Sequence, residues 1–280
     1  MIYLYLALTI VAGYLIGNIN FARIFSWMFA KKDITTVGSK NPGTMNMLRT
    51  RGFGEALLTL LMEAVKSGAP ALACYFLFKT YFPGYEDLAY FLSAIGAVVG
   101  HCFPVFYKFK GGKGVACTFG MFLFHPSCWW VSLVMFAICF LLFFFIEYPF
   151  IISLTFILTM SIYATCIFAL AHVNLYIALI VVLWLNFVLI VFMHRGNIKR
   201  LVTGKENKVN FREKVFKKRS KKQDTDDKAD KQPTEESKDK NENPEDKNDE
   251  TTTAWVCPRW IFCFTRFSFW QRFWDCSFET

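Results

Sequence analysis

The chain consists mainly of long apolar segments separated by short polar ones. A helix needs about 20 consecutive apolar residues to span the apolar core of a bilayer. Segments of about that length lie at residues 2–29, 55–79, 88–107, 127–146, 149–171 and 173–193. This pattern predicts an all-α protein that folds as a polytopic membrane helical bundle.

A shorter apolar segment lies at residues 115–124 and ends at His125 and Pro126. At about 1.5 Å per residue, a helix of this length covers only part of the apolar core. Two structures fit the pattern: a short helix sheltered by its neighbours, or a re-entrant segment.

The basic residues predict the orientation of the bundle. Lys and Arg cluster after the first, third and last long segments, whereas the loop after the second carries Glu86 and Asp87. Because Lys and Arg collect on the cytoplasmic side of a membrane, we expect the three clusters in the cytoplasm and the N-terminus outside. An even number of crossings must then separate the second cluster from the third, which requires the short segment to cross as well. We therefore predict about seven transmembrane helices, one of them short.

Composition divides the chain into three parts. Hydrophobic residues make up 54% of the 280 residues and are concentrated in residues 1–204, the predicted membrane domain. Residues 205–253 form a charged linker with too few apolar side chains to fold, so we predict a disordered cytoplasmic tail. Residues 254–280 interleave aromatic residues with arginines, which suits either a helix lying at the bilayer surface or an appendage without a function.

Charge and cysteine content argue against several classes of function. The net charge of +9 arises from Lys and Arg at helix ends and from a tail in which lysines are mixed with acids. This distribution argues against nucleic-acid binding, which needs a continuous basic surface. The nine cysteines form no CxxC pair, so neither disulfides nor a zinc site is indicated. No cofactor and no metal are predicted.

A basic, glycine-rich loop lies between two apolar segments. It reads Lys108-Phe109-Lys110-Gly111-Gly112-Lys113-Gly114. Lysine brings charge to an anion, and glycine lets backbone N–H groups approach it closely. The loop therefore predicts a phosphate-binding pocket at the membrane boundary. Orientation of the loop or contact with anionic lipids is a competing explanation for Lys108, and to a smaller extent for Lys110.

The segment 38–51 supplies further candidate ligands for phosphate. Its Pro42-Gly43 pair predicts a tight turn. Neutral hydrogen-bonding groups come from Ser39, Asn41 and Asn46. The guanidinium of Arg49 offers a fork that matches phosphate oxygens.

Two other sets of polar residues are candidates for chemistry. His194 and Asn197 are three apart and so share one face of a helix. An imidazole at this place can orient a hydroxyl group or accept its proton. Glu63 and Lys66 are also three apart but lie inside an apolar segment, which predicts an internal ion pair or, second, a substrate contact. For His101, a structural and a functional role stand as alternatives.

Three of these segments match motifs of a known family. Residues 38–49 retain seven positions of the motif Gly-Ser-Gly-Asn-Pro-Gly-Ala-Thr-Asn-x-x-Arg. Residues 100–116 match Gly-His-x-Phe-Pro-Val-Phe followed by Lys-Phe-Lys-Gly-Gly-Lys-Gly-Val-Ala, and residues 194–200 match His-Arg-x-Asn-Ile-x-Arg. On these motifs, residues 1–205 resemble the bacterial membrane glycerol-3-phosphate acyltransferases that use acyl phosphate as donor, the PlsY type.

The resemblance implies an enzyme of the bacterial cytoplasmic (inner) membrane with its active site facing the cytoplasm. Its substrates would be fatty acyl phosphate and glycerol 3-phosphate, its products 1-acyl-glycerol 3-phosphate and phosphate, and membrane lipids would surround it. An acyl phosphate is an activated mixed anhydride, so Ser39 is expected to donate a hydrogen bond rather than act as a nucleophile. The expected catalytic residues are His194, Asn197 and Ser39. The expected substrate-binding residues are Arg49, Lys110, Gly111, Gly112, Lys113, Asn41, Asn46, Lys66 and His101.

The chain also departs from the family pattern. Two asparagines stand where the first helix carries Ser and Pro, a lysine replaces a glycine of the first motif, and a methionine replaces its threonine. In the second apolar segment, Glu and Ser replace Asp and Gly. These departures are Asn18, Asn20, Lys40, Met45, Glu63 and Ser67.

Other classes of protein fit the sequence less well. Acyltransferases of another type carry an acid five positions after a catalytic histidine, and none of the four histidines has one. The glycine-rich loop lacks the first glycine and the Ser or Thr of a Walker A motif. The alternatives are a small multi-pass transporter or lipid-binding membrane protein for an anionic solute, and a scaffold that uses its aromatic tail. A transporter is expected to carry internal repeats, which the sequence does not show clearly.

Overall fold

The computed structural model describes residues 1–206, which form helices and connecting loops without any strand. The ten α-helices are α1 (Ile2–Gly17), α2 (Phe21–Ala30), α3 (Thr44–Thr50), α4 (Phe53–Tyr81), α5 (Glu86–Cys102), α6 (Val115–Leu123), α7 (Trp129–Leu142), α8 (Pro149–Leu170), α9 (Tyr176–Met193) and α10 (Arg195–Val202). Short 3₁₀ turns lie at Ile34–Thr36 and Val105–Tyr107. The predictions made for residues 207–280 lie outside the described residues.

Within residues 1–206, five helical segments are long and apolar enough to cross a membrane. They are Ile2–Ala30, Phe53–Tyr81, Glu86–Tyr107, Pro149–Leu170 and Tyr176–Met193. Helix α7 is apolar but shorter, and α6 has nine residues, a length of about 14 Å. The predicted all-α membrane bundle is confirmed, and each of the seven predicted apolar segments contains a helix. The number of crossings and the outside location of the N-terminus stay predictions.

The short helix α6 is sheltered by its neighbours. It packs against α4, α5, α7 and α8, and the side chains from Cys117 to Phe122 are buried. The hydroxyl of Ser67 on α4 donates to the carbonyl of Cys117 at 2.6 Å. A short helix sheltered by its neighbours is observed, and its crossing of the membrane stays a prediction.

The length of the first apolar segment suggested one continuous helix, but the structure has two helices there. Helix α1 ends at Gly17 and α2 begins at Phe21. The side chain of Asn18 donates to Tyr14 O at 2.6 Å and accepts from Val105 N at 2.6 Å. The side chain of Asn20 caps α2 by accepting from Arg23 N at 2.9 Å. Both departures from the family motif therefore hold the break in place, because each asparagine satisfies backbone groups there.

Helices α1 and α5 cross closely because glycines line both surfaces. A Cβ atom added at Gly13 would lie 2.1 Å from Ser93 O, and one added at Gly100 would lie 2.2 Å from Tyr14 O. Small residues at such positions let the backbones of membrane helices approach each other. The crossing places the end of α1 beside the end of α5, next to the glycine-rich loop.

Candidate functional site

The polar segments of the sequence meet at one cavity with a volume of about 1210 Å³. Ten of the twelve predicted site residues line it: Ser39, Asn41, Asn46, Arg49, His101, Lys110, Gly111, Lys113, His194 and Asn197. The other two, Gly112 and Lys66, lie outside the lining. Side chains from three segments that are distant in the sequence thus line the same cavity.

The amide of Asn197 connects the glycine-rich loop to α10. Lys113 Nζ donates to Asn197 Oδ1, and Asn197 Nδ2 donates to Glu206 Oε1 at 2.6 Å. The other oxygen of Glu206 accepts from Arg200 Nε at 2.8 Å. Because the amide oxygen faces a cation and the amide nitrogen faces a carboxylate, the orientation of Asn197 is determined by its neighbours.

Lys113 lies in a region of excess positive charge. Burial, and then the nearby Arg200 and Arg49, lower the pKa of Lys113 to about 8, although Glu206 opposes this change. Burial also lowers the pKa of Arg49, and Arg200 adds to the effect. Both groups are still protonated near neutral pH. A phosphate dianion would relieve their mutual repulsion, so the cavity is suited to anions.

His194 is buried between α9 and α10 and lines the same cavity. Its Nδ1 donates to Ile190 O at 2.8 Å, and its ring stacks on that of Phe150 with 6.3 Å between centroids. With Nδ1 as the donor, Nε2 is the acceptor atom of the neutral ring. Burial lowers the pKa of His194 to about 4, and the bond to Ile190 acts in the opposite direction. The ring is therefore neutral at pH 7.

The first loop is organised by Asn46, which was predicted to bind substrate. Asn46 Oδ1 accepts from Ser39 N at 2.9 Å. Its Nδ2 donates to Ile34 O and to Val37 O, each at 3.0 Å. The amide of Asn46 thus holds the loop that carries Ser39. Binding of substrate by Asn46 stays a prediction.

The glycine-rich loop is attached to the end of α5. The N–H of Gly112 donates to His101 O at 3.1 Å, so it is not the free phosphate donor that the sequence suggested. A Cβ atom at Gly112 would lie 2.1 Å from His101 Nε2, and one at Gly111 would lie 2.0 Å from His101 O. Glycine is needed at both positions because the loop approaches His101 closely. This close approach positions Lys113.

A buried cluster of Glu63, Lys66 and His101 supports the loops around the cavity. The predicted ion pair between Glu63 and Lys66 is present, and the same carboxylate lies 2.9 Å from His101 Nδ1. Lys66 Nζ donates to Gly17 O at 3.1 Å and to Ile19 O at 2.6 Å. The ammonium of Lys66 is thus held by the protein, and the predicted substrate contact at Lys66 is not supported by this geometry.

The same cluster contains three groups that could ligate a metal. Donor atoms of Glu63, His101 and Cys117 lie within 4.8 Å of one another. The Lys66 ammonium is already paired with the Glu63 carboxylate. Since a metal ion would add a second positive charge beside this ammonium, we assign the cluster to folding.

One side of the cavity is apolar. We call it the apolar wall, and it consists of Leu57, Leu60, Phe119, Phe136, Phe140, Phe143 and Phe156. The rings of Phe119 and Phe136 stack with 4.5 Å between centroids. These residues come from α4, α6, α7 and α8, with Phe143 directly after the end of α7, so no local motif indicated that they would meet. An apolar wall beside a cationic region suits a ligand that has a hydrocarbon chain and a charged group.

Nine polar residues of the lining, as the structure describes it, do not belong to the predicted site: Arg23, Thr35, Lys40, Thr44, Glu63, Ser153, Arg195, Arg200 and Glu206. Arg200 belongs to the third motif, so the sequence contained a signal for it. Glu206 lies two residues beyond the predicted end of the membrane domain, where composition alone favoured a linker. Arg23 lies within the first apolar segment and belongs to none of the motifs.

The fold and the site together define a multi-pass membrane protein with a cavity that is lined by basic residues beside an apolar wall. A family model described as glycerol-3-phosphate acyltransferase matches residues 7–204. A protein of that name from Finegoldia magna is 34% identical over 214 residues, which cover 75% of this chain and 98% of the relative. Another, from Ralstonia nicotianae, is 34% identical over 204 residues and covers 73% and 94%.

The solved structures lead to the same family. A crystal structure of PlsY (YgiH), an integral membrane glycerol 3-phosphate acyltransferase in its glycerol 3-phosphate form, superposes with a TM-score of 0.62. It is 27% identical, and the match covers 75% of this chain and 98% of that one. The lysophosphatidic acid form gives a TM-score of 0.61. The chain belongs to the glycerol-3-phosphate acyltransferase family of the PlsY type, so the resemblance seen in its motifs is confirmed.

Proposed function

We propose that this protein transfers a fatty acyl group from acyl phosphate to the sn-1 hydroxyl of glycerol 3-phosphate. The observation that carries the proposal is that Arg49, Lys113, His194 and Asn197 line one cavity together with the apolar wall. Similarity to PlsY in its glycerol 3-phosphate and lysophosphatidic acid forms supports this acceptor and this class of product. The transporter and scaffold alternatives are set aside because the family is one of enzymes.

Binding of the acceptor is assigned to the cationic side of the cavity. Arg49 and Lys113 neutralise the phosphate of glycerol 3-phosphate, and Asn197 holds the Lys113 ammonium in place. The hydroxyl of Ser39 and the amide of Asn41 offer neutral hydrogen bonds from the first loop. The acyl chain of the donor lies along the apolar wall, where burial of each CH₂ group contributes about 0.8 kcal/mol.

The chemical step needs little from the protein beyond orientation and charge neutralisation. The sn-1 oxygen forms a bond to the acyl carbonyl carbon, and the bond between that carbon and the phosphate oxygen breaks. His194 Nε2, the acceptor atom of a neutral ring, orients the hydroxyl group. The hydroxyl proton passes to the departing phosphate, directly or through His194. No acyl-enzyme is needed because the donor is an activated anhydride.

The location follows from the same proposal. Glycerol 3-phosphate comes from water, and the acylated product has a hydrocarbon chain that belongs in the bilayer. A site where basic loops meet membrane helices serves both. With Lys108, Arg195 and Lys199 on that side of the bundle, the positive-inside rule supports an active site facing the cytoplasm of a bacterial cell.

The direct test is product formation by the purified full-length protein. Palmitoyl phosphate and glycerol 3-phosphate are supplied in detergent micelles or vesicles, and lysophosphatidic acid is quantified, including the position of the acyl group. Parallel reactions with palmitoyl-CoA test the choice of donor. We expect product from palmitoyl phosphate, with the acyl group at sn-1.

Variants of one loop provide a matched comparison for the test. Lys113→Ala should lose most of the activity, whereas Lys108→Ala should stay close to wild type, because Lys108 is exposed and outside the cavity lining. Product formed only from palmitoyl-CoA would overturn the proposed donor. Equal activity of the two lysine variants would overturn the assignment of the phosphate site.

A further inference from the structure

Arg23 is a cation of the cavity that belongs to no motif. It lies on α2, one turn after the helix cap at Asn20, and lines the cavity. The centre of its guanidinium stands 4.2 Å from the centroid of the Tyr107 ring. This contact fixes the plane of the guanidinium, because arginine stacks favourably on an aromatic face.

Arg23 uses only part of its hydrogen-bonding capacity. One of its terminal nitrogens lies 3.5 Å from Asp33 Oδ2 and 3.4 Å from Thr35 Oγ1, both long contacts. Its Nε is buried and has no hydrogen-bond partner among residues 1–206. A guanidinium has five N–H donors in a planar fork that fits two oxygens of a phosphate. Stacked in this way, Arg23 is preorganised for such a ligand.

The reaction requires a second place for a phosphate. This argument rests on the proposed function, in which both substrates carry phosphate dianions that repel each other at close range. Arg49, Arg200 and Lys113 form one cationic group around Asn197. The contacts of Arg23 are with a different set of residues: it stacks on Tyr107 of the Val105–Tyr107 turn and approaches Asp33 and Thr35.

Two further lysines line the cavity with Arg23. Lys110 follows the Val105–Tyr107 turn, and Lys40 stands in the first loop with a φ of 58°. Lys40 occupies a position where the family motif carries glycine, so this chain adds a charge there. We infer that Arg23, seated on Tyr107 and assisted by Lys40 and Lys110, binds the phosphate group of one of the two substrates as a second anion subsite.

A purely structural role for Arg23 would rest on its contact with Asp33. The variant Asp33→Asn separates the two explanations, because it removes the ion pair yet retains the oxygen that accepts from Thr35 N at 2.9 Å. Asp33 does not line the cavity. Lys32→Gln is a second control, since it removes a nearby exposed charge that is also outside the lining.

The experiment measures KM for each substrate while the other is saturating, in wild type, Arg23→Gln, Arg23→Lys, Asp33→Asn and Lys32→Gln. A charged hydrogen-bond pair of this kind corresponds to a change of roughly tenfold or more. We expect Arg23→Gln to raise one KM by about that factor with kcat largely retained, and Arg23→Lys to give an intermediate value. A higher KM for palmitoyl phosphate assigns the subsite to the donor, and a higher KM for glycerol 3-phosphate assigns it to the acceptor.

A binding measurement keeps this inference separate from the proposed function. Protection of the folded protein against heat by inorganic phosphate should be weaker in Arg23→Gln than in wild type, whether or not product is formed. Unchanged KM values and unchanged protection would overturn the subsite, and so would equal effects of Asp33→Asn and Arg23→Gln. Should Arg23→Gln fail to fold, the comparison of Arg23→Lys with wild type decides, because it keeps the charge and removes the fork.

Discussion

Lys113 donates a hydrogen bond to Asn197 across 84 positions of the sequence. This bond joins the glycine-rich loop to α10, and through Asn197 it reaches Glu206 and Arg200. The cation that we assign to substrate phosphate is thus held by a neutral oxygen. The positive charge of Lys113 therefore stays available for the ligand. A direct ion pair with a carboxylate would have neutralised part of this charge.

Replacing the Asn197 amide by a carboxylate should disrupt this arrangement. In the wild-type protein, Asn197 Nδ2 lies 2.6 Å from Glu206 Oε1. In Asn197→Asp, a carboxylate oxygen takes the place of this nitrogen. Two buried carboxylates at this distance repel each other, and we expect kcat/KM for lysophosphatidic acid formation to fall about 100-fold. The double variant Asn197→Asp with Glu206→Gln should recover part of the loss, since the glutamine amide donates to the new carboxylate. If the double variant recovers none of the activity, repulsion between the carboxylates at positions 197 and 206 is not the cause of the fall in kcat/KM.

The pH dependence of kcat/KM should reveal Lys113. Its pKa of about 8 means that the free enzyme loses a cation as the pH rises through that value, so kcat/KM should decline on the alkaline side. In Lys113→Arg the charge persists, and the decline should move to higher pH even if the maximal rate is lower. The pKa of about 4 for His194 predicts no loss from this residue between pH 5 and 7. An alkaline decline at the same pH in both proteins would contradict the assignment.

Close packing between Gly112 and His101 should make the glycine-rich loop intolerant of a single methyl group. A Cβ atom at Gly112 would lie 2.1 Å from His101 Nε2, so Gly112→Ala must shift the loop that carries Lys113. We expect kcat/KM to fall by roughly tenfold or more, since misplacing a binding group by about 1 Å is costly. Gly54→Ala is the matched control because nothing lies within 4 Å of its added Cβ. Similar activities of the two variants would argue against this role of the loop.

Adjacent leucines of α4 allow a test of the apolar wall. Leu60 lines the cavity, whereas Leu61 does not belong to the lining and is 47% exposed. Leu60→Trp should fill space used by a long acyl chain and lower kcat/KM for palmitoyl phosphate far more than for decanoyl phosphate. Leu61→Trp should leave the ratio of the two values unchanged. An unaltered ratio in Leu60→Trp would place the acyl chain elsewhere.

The sequence was sufficient for the fold class and for most of the cationic site. Long apolar segments predicted the helices, and the motifs supplied four residues that line the cavity: Lys110, Lys113, Arg49 and His194. The break in the first segment escaped prediction, because apolar periodicity does not record that Asn18 bonds to Val105. That contact depends on the crossing of α1 with α5.

Residues whose roles depend on tertiary partners were the hardest to predict. Asn46 has the chemistry of a ligand, but its amide is used by the backbone of its own loop. Glu206 lies in a charged stretch that composition assigned to a linker, although its carboxylate completes the network around Asn197. The apolar wall draws on four helices, and only their packing brings its rings together.

The place of Glu206 bears on how the enzyme is to be shortened for biochemical work. The family match ends at Gly204. A fragment cut there would lack Glu206, whose carboxylate accepts hydrogen bonds from Asn197 and Arg200. Without Glu206, the side-chain amide of Asn197 would be free to rotate. The guanidinium of Arg200 would then compete with Lys113 for Asn197 Oδ1. We therefore expect the smallest fragment that retains full activity to include residue 206.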